Sequence, residues 1–284
     1  MIKIVADSTC DLSEELVKRY DITVFPLHVI MDAKDLLDGV EVTPEEIYAW
    51  SDEVKRTPKT SSPGIQEVVD FFKEMTKDGD ELIVITIAIG MSTTNHVMHL
   101  AAEEAGLEDR ISIVDSMSLS TGIGLQVITA AEKRDEGLSR AEIVSYLEGI
   151  TPYVSASFVV DTLIYLYRGG RCNGLAALVG GVLKLHPQIN VVNGTLEAGQ
   201  KYRGKMSRVI MEYAEGMEER LLKARPEHVF VTYSTGVERE TADAVIAYLK
   251  SLNHFKEIHE TVAGGVISSH CGPGTLGVLF IEHP

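Results

Sequence analysis

Strand-like and helix-like segments alternate through the first 150 residues, and several of the strands run straight into a polar, hydroxyl-rich turn. That rhythm constrains the fold strongly. A strand followed by a helix and another strand closes most simply as a parallel sheet covered on both faces. Residues 2–6, 22–29, 82–87 and 111–114 read as strands, and 82–87 is continuously apolar, as a doubly covered parallel strand requires. Helices are expected over 12–20, with Asp7-Ser8-Thr9 as its cap, from Pro44 behind Thr43, through 68–72, over 92–105, and over 120–136 and 139–150. The stretch 56–64 reads as a loop.

Beyond Pro152 the texture changes. A strand at 157–160 is followed by a small-residue, apolar stretch over 163–185 carrying Gly169, Gly170, Gly174, Gly180 and Gly181. Asn193-Gly194 between two β-rich runs is a strong hairpin signal, and one long helix is expected over 207–222. A strand at 229–233, a helix at 239–252 and a last strand at 276–281 complete the pattern. The expectation is therefore α/β with two domains, a parallel-sheet domain over 1–154 and a mixed-sheet domain over 155–284, and a ligand site between them.

Charge and cysteine content narrow the function. With 26 basic and 42 acidic residues the formal charge is −16, which argues against a nucleic-acid or anionic-membrane partner. Cys10, Cys172 and Cys271 form no paired motif, so neither a structural zinc site nor a disulfide framework is indicated, and a reducing cytoplasm fits. The amino terminus reads as a first buried strand, and no run is long enough for a membrane-spanning helix. No P-loop is present, and Gly122-Ile-Gly124 lacks the third glycine of a dinucleotide fingerprint. No cofactor or metal is called for. His96 and His99 share one helical face, where a solvated or packed pair outweighs a metal site.

Candidate site residues fall into three groups. Asp7-Ser8-Thr9, Thr60-Ser61-Ser62, Ser92-Thr93-Thr94 and Asp115-Ser116 would converge at the carboxyl edge of a parallel sheet, where hydroxyls and free amides suit an anion. His270 lies between Gly264-Gly265 and Gly272-Pro273-Gly274, and reads as a histidine aimed by glycine-rich turns. Arg168-Gly-Gly-Arg171 and Arg203 can pair with a carboxylate or phosphate, or equally with one of the chain's own acids. Gly90-Met-Ser92-Thr-Thr94 partly resembles a nucleophile elbow, which leaves a serine-type hydrolase with Ser92, His270 and Asp115 as a weaker reading.

Taken in order, Asp7-Ser-Thr-Cys-Asp11, Lys59-Thr60-Ser61-Ser62-Pro63, Met91-Ser92-Thr93-Thr94, Asp115-Ser116, Tyr165-Leu-Tyr-Arg-Gly-Gly-Arg171 and Gly264-Gly265…His270-Cys-Gly-Pro-Gly274 resemble the DegV family across the whole chain. The resemblance implies a long-chain fatty acid buried between two α/β domains, and a non-catalytic role in which a partner fatty acid kinase phosphorylates the presented carboxylate. Carried over, Thr60, Ser61 and Ser92 would bind that carboxylate with His270 close by, and Arg171 and Arg203 would serve the head group or the kinase. Thr93 stands where the family commonly has glycine, and Asn95-His96 replace a common Tyr-Gln pair, so head-group geometry or partner choice can differ. A lipid-sensing interaction module without phosphorylation needs the same pocket.

Overall fold

The computed structural model describes residues 1–171 and 185–283. Strands β1 (Ile2–Asp7), β2 (Ile22–Phe25), β6 (Glu81–Thr86) and β7 (Ile111–Asp115) form a parallel sheet in the order β2-β1-β6-β7. The register sets Ile4 beside Ile22 on one side and Ile83 on the other. Because both faces are covered, the strand interiors are apolar without alternation, and Ile4, Val5, Ala6, Leu82, Ile83, Val84 and Ile85 are fully buried. Val5, Leu82 and Val84 pack on helices α3 (Ile65–Thr76) and α4 (Thr94–Ala105), while Ile4, Ala6, Ile83 and Ile85 face α5 (Thr121–Asp135) and α6 (Arg140–Ile150).

A second sheet is mixed. Its order is β10-β9-β8-β13-β11-β12, from β8 (Val154–Val159), β9 (Leu185–Val192), β10 (Thr195–Arg203), β11 (Ala224–Tyr233), β12 (Glu257–Val262) and β13 (Leu276–Glu282). Only the β11–β12 pairing is parallel. One face packs on α8 (Met206–Glu215), α9 (Glu218–Leu221) and α10 (Arg239–Ser251), around the fully buried Tyr213. The other face, through Ala156, Phe158, Phe230 and Leu279, lies on α5. Helix α5 is thus sandwiched between the two sheets. Every residue from Thr121 to Ala131 is buried.

That placement explains Gly122 and Gly124. A Cβ at Gly122 would stand 2.1 Å from Ser118 Oγ, and one at Gly124 would stand 2.8 Å from a Leu12 methyl and 3.1 Å from the Cys10 carbonyl. The pair that begins like a nucleotide fingerprint is there for close helix packing.

Several sequence expectations change in three dimensions. The 22–29 run splits at Pro26, which lacks a ladder donor, into β2 and β3 (His28–Met31). Strand β3 belongs to a third, antiparallel sheet with β4 (Lys34–Leu37) and β5 (Lys59–Ser61), in the order β4-β3-β5. The expected loop over 56–64 therefore contains a strand, and pairing of Thr60 with Val29 fixes it. Asp7 caps a 3-10 turn, Ser8–Cys10, and Ser13 caps α1 (Glu14–Arg19). Thr43 and Glu46 form the capping box of α2 (Pro44–Val54), as the sequence predicts. The expected long helix breaks at Gly216 into α8 and α9. Cys172 and most of the glycine-rich stretch, residues 172–184, lie outside the described residues.

Replacing Gly122 by valine tests the α5 sandwich. Helix propensity alone favours the change by a few tenths of a kcal/mol, whereas overpacking costs about 1–3 kcal/mol. Gly122→Val is expected to lose about 1–3 kcal/mol of stability, measured by urea unfolding.

Candidate ligand-binding site

His270 rides on a short helix, α11 (Gly265–Cys271), and not in a glycine turn. The glycines flank it. Two buried carboxylates seat its start: Asp11 Oδ1 accepts from the Gly264 amide at 2.8 Å and Asp38 Oδ1 from the Gly265 amide at 2.7 Å. Ser120 joins Asp11 at 2.5 Å, and Ser8 donates to Asp38 at 2.7 Å. Asp7, one turn away, accepts from the amides of Thr9 and Ile87 at 3.0 and 2.8 Å. Burial raises all three acids, Asp7 to about 6 and Asp11 to about 8.

The Asp7-Ser8-Thr9 cluster is therefore structural: its polar atoms are spent on its own turn, on the Leu27 and Ile87 amides and on Asp38, which in turn seats α11. Asp115-Ser116 is likewise occupied. Asp115 Oδ1 accepts from the amides of Ile89 and Met117 at 3.3 and 2.9 Å, and Ser116 Oγ donates to the Ser118 carbonyl at 3.2 Å. Of the four expected hydroxyl clusters, those at 60–62 and 92–93 line the cavity beside α11 and the other two do not.

That cavity measures about 460 Å3. Thr60, Ser61, Ser62, Ser92, Thr93, Arg171 and His270 contribute its polar lining, and Leu27, Ile87, Leu119, Leu166, Leu196 and Ile267 much of its apolar wall. Strand β5 presents Thr60. The turn entering α4 presents Ser92, whose Oγ accepts from the Thr94 amide at 3.2 Å and sits 2.8 Å from Thr94 Oγ1. Thr93, the replacement for a family glycine, donates to Ser62 at 3.0 Å, and Asn95 is buried against Thr86 at 2.9 Å. Arg203 lies on the exposed end of β10, and His96 and His99 are exposed on α4, so none of the three reaches the cavity.

His270 Nε2 lies 2.8 Å from Thr60 Oγ1, while its Nδ1 is buried and has no partner among the described residues. An orphaned N–H costs more than an orphaned lone pair, so the proton belongs on Nε2 and is donated to Thr60. The Thr60 hydroxyl is then free to donate its own proton into the cavity. Burial, with the nearby Arg171 charge, lowers the imidazole to about 3, so His270 is neutral at physiological pH and interacts through hydrogen bonds, without a charge.

Arg171 is the charged side chain of the lining. It follows α7 (Ile164–Arg168), and its guanidinium donates to the Gly169 carbonyl at 2.7 Å and to the Met91 carbonyl at 3.2 and 3.3 Å. Among the described residues it has no carboxylate partner. Gly169 also makes room for the imidazole, since a Cβ there would lie 2.2 Å from His270 Nδ1. Gly90 does the same for the hairpin tip, where a Cβ would stand 2.5 Å from the Gly194 carbonyl. The glycines are visible in the sequence, but the neighbours that require them are not.

The Ser92, His270 and Asp115 triad is not assembled. His270 Nε2 is engaged by Thr60, Ser92 by Thr94, and Asp115 by backbone amides. Without a base on Ser92 or a carboxylate on His270, the arrangement lacks the parts of a serine nucleophile.

A parallel sheet and a mixed sheet sharing one buried helix, beside a cavity lined by apolar side chains and hydroxyls, describe an α/β protein of two sheets. A family model described as "Uncharacterised protein, DegV family" matches residues 1–283. A DegV domain-containing protein of Deinococcus radiodurans is 33% identical over 279 residues, 98% of each chain. This chain belongs to the DegV family. Among solved structures, a fatty-acid-binding DegV family protein from Thermus thermophilus superposes with a TM-score of 0.89 at 28% identity over 99% of both chains. A stearic-acid-binding protein from Eubacterium ventriosum does so with a TM-score of 0.86 at 27% identity, covering 99% of this chain and 98% of that one.

The neutrality of His270 is directly measurable. Between the unfolded value of 6.5 and the folded value of about 3, the unfolded chain binds a proton that the folded one refuses, so this group removes stability as pH falls through that window. An NMR titration should show an unprotonated His270 with an Nε2–H tautomer from pH 8 down to pH 5, and a midpoint near 6.5 would refute the buried, neutral assignment.

Proposed function

We propose that this chain binds a long-chain fatty acid in the cavity beside α11 and presents its carboxylate to a partner fatty acid kinase for acyl phosphate formation. The observation that carries the reading is one largely apolar cavity whose lining also holds Thr60, Ser61, Ser92, His270 and Arg171. Family relatives of the same fold that bind fatty acids support it.

Energetics divide the labour. Burying roughly 15 methylenes at about 0.8 kcal/mol each supplies about 12 kcal/mol before association costs. The tail therefore provides affinity, and the head group needs only orientation. Thr60, its lone pair taken by His270, offers a proton to one carboxylate oxygen, while Ser92 and Ser61 stand as further donors. Neutral donors can hold a carboxylate and then an acyl phosphate without binding either so tightly that exchange stops. Arg171 supplies the compensating charge. Arg203, exposed on β10, is assigned to the kinase-facing surface.

Organic extraction of the purified protein followed by mass spectrometry should release about one acyl chain per polypeptide, and failure both to find and to load one would overturn the reading. Thr60→Ala and Ser92→Ala should each cost about 1–2 kcal/mol of fatty-acid affinity by leaving the carboxylate short of a donor.

The kinase step has its own test. Loaded protein, ATP and the partner kinase should yield acyl phosphate, and His270→Ala should keep most of the tail affinity while slowing phosphorylation at least about tenfold through loss of one orienting contact. Normal phosphorylation of that variant would remove His270 from the head-group site.

A further inference from the structure

Away from the cavity, the parallel pairing of β11 with β12 gathers a second set of polar side chains. The register sets His228 beside Glu257 and Phe230 beside His259, so with the two-residue period of a strand His228, Glu257 and His259 share one face. His228 Nδ1 and His259 Nε2 approach to 3.0 Å, and His259 Nε2 lies 3.9 Å from Glu257 Oε2. All three donor atoms fall within 4.8 Å of one another. Both imidazoles are buried, at 7 and 8% exposure, whereas Glu257 is half-buried.

We propose that His228, His259 and Glu257 form a binding site for one divalent transition-metal ion of the zinc type, with Glu132 of α5 as the positioning residue for His228. Two imidazole nitrogens and one carboxylate oxygen are a donor set that zinc accepts at about 2.0–2.2 Å from each atom, leaving a fourth position for water. Ligand atoms around such an ion stand roughly 3–3.5 Å apart; here one pair is already at 3.0 Å, and the wider pairs, at 3.9 Å and within 4.8 Å, would close on the ion by side-chain rotation.

The surroundings suit an ion. Glu132 Oε1 lies 3.0 Å from His228 Nε2, the carboxylate–histidine arrangement that holds the ring and leaves Nδ1 as the lone pair. In the metal-free chain His259 Nε2–H donates to that lone pair. The metal takes the place of this proton, which moves to His259 Nδ1, so no net proton is released. Arg19 donates to both oxygens of Glu257 at 2.6 Å, fixing the carboxylate while each oxygen keeps another lone pair. A cavity of about 410 Å3 bordered by Glu132, His228 and Tyr146 provides an approach. None of these residues lines the fatty-acid cavity.

Cobalt and zinc report on the site in the full chain, stripped first with a chelator. Co2+ should bind at one site per chain, with visible d–d bands and no thiolate charge-transfer absorption, and Zn2+ should displace it. His228→Gln and His259→Gln should each weaken binding at least about tenfold, and Glu132→Gln should do so about tenfold as a lost outer contact. Glu257→Gln, at a half-exposed position, provides a ligand variant with little folding cost and should weaken binding as the histidine variants do. Far-UV circular dichroism verifies that each variant is folded. His96→Gln combined with His99→Gln should leave the titration unchanged. Absence of stoichiometric binding, a thiolate band, or binding that survives both histidine substitutions would each overturn the proposal.

Discussion

The seat of α11 is the constraint on which the site depends. Asp11 and Asp38, from near the chain's start, bond the first amides of a helix that begins at residue 265, and so join distant parts of the chain through buried polar contacts. Hydrogen bonds to a charged group are worth about 1.5–3 kcal/mol each, yet both acids are shifted upward, so desolvation outweighs those bonds for the ionised form. The clamp secures geometry more than it adds stability. Its product is the position of His270, near the end of the same helix, against Thr60 of β5.

The second governing feature is electrical restraint inside the cavity. An acidic chain could have surrounded a ligand head group with carboxylates, but the polar lining consists of hydroxyls, a neutral imidazole and one guanidinium. Arg171 is oriented by two backbone carbonyls, which take up three of its five N–H donors without cancelling its charge. The lining thus offers directional donors and one cation among hydrocarbon side chains. For the fatty acid proposed above, such a lining would let affinity come from the tail and orientation from the head.

Much of this is legible in the chain. Continuous apolar runs announce the parallel sheet, Asn193-Gly194 announces the hairpin, and Thr43-Pro44-Glu-Glu announces α2. Thr60, Ser61, Ser92, Arg171 and His270 stand out by motif and resemblance, and the fold brings all five to one cavity. What cannot be read is allocation. Asp7-Ser8-Thr9 and Asp115-Ser116 look like the clusters at 60–62 and 92–94, yet their side chains bond nearby amides and carbonyls, a choice that depends on turn geometry. Strand β5 is hidden for a related reason: three residues with no periodicity become a strand only when β3 lies alongside them.

By itself the sequence determined the layer architecture, through strand and helix periodicities that follow from backbone geometry and need no knowledge of neighbours. It also determined which residue types were available to meet an anion. Tertiary structure alone decided which glycines are spaces for other groups, as Gly169 is for His270 and Gly122 for Ser118, because that need arises from atoms remote in the chain or from the turn they share. It decided the charge state of His270 too, since an imidazole's pKa is set by the burial and charges around it, and those come from helices and loops scattered along the sequence.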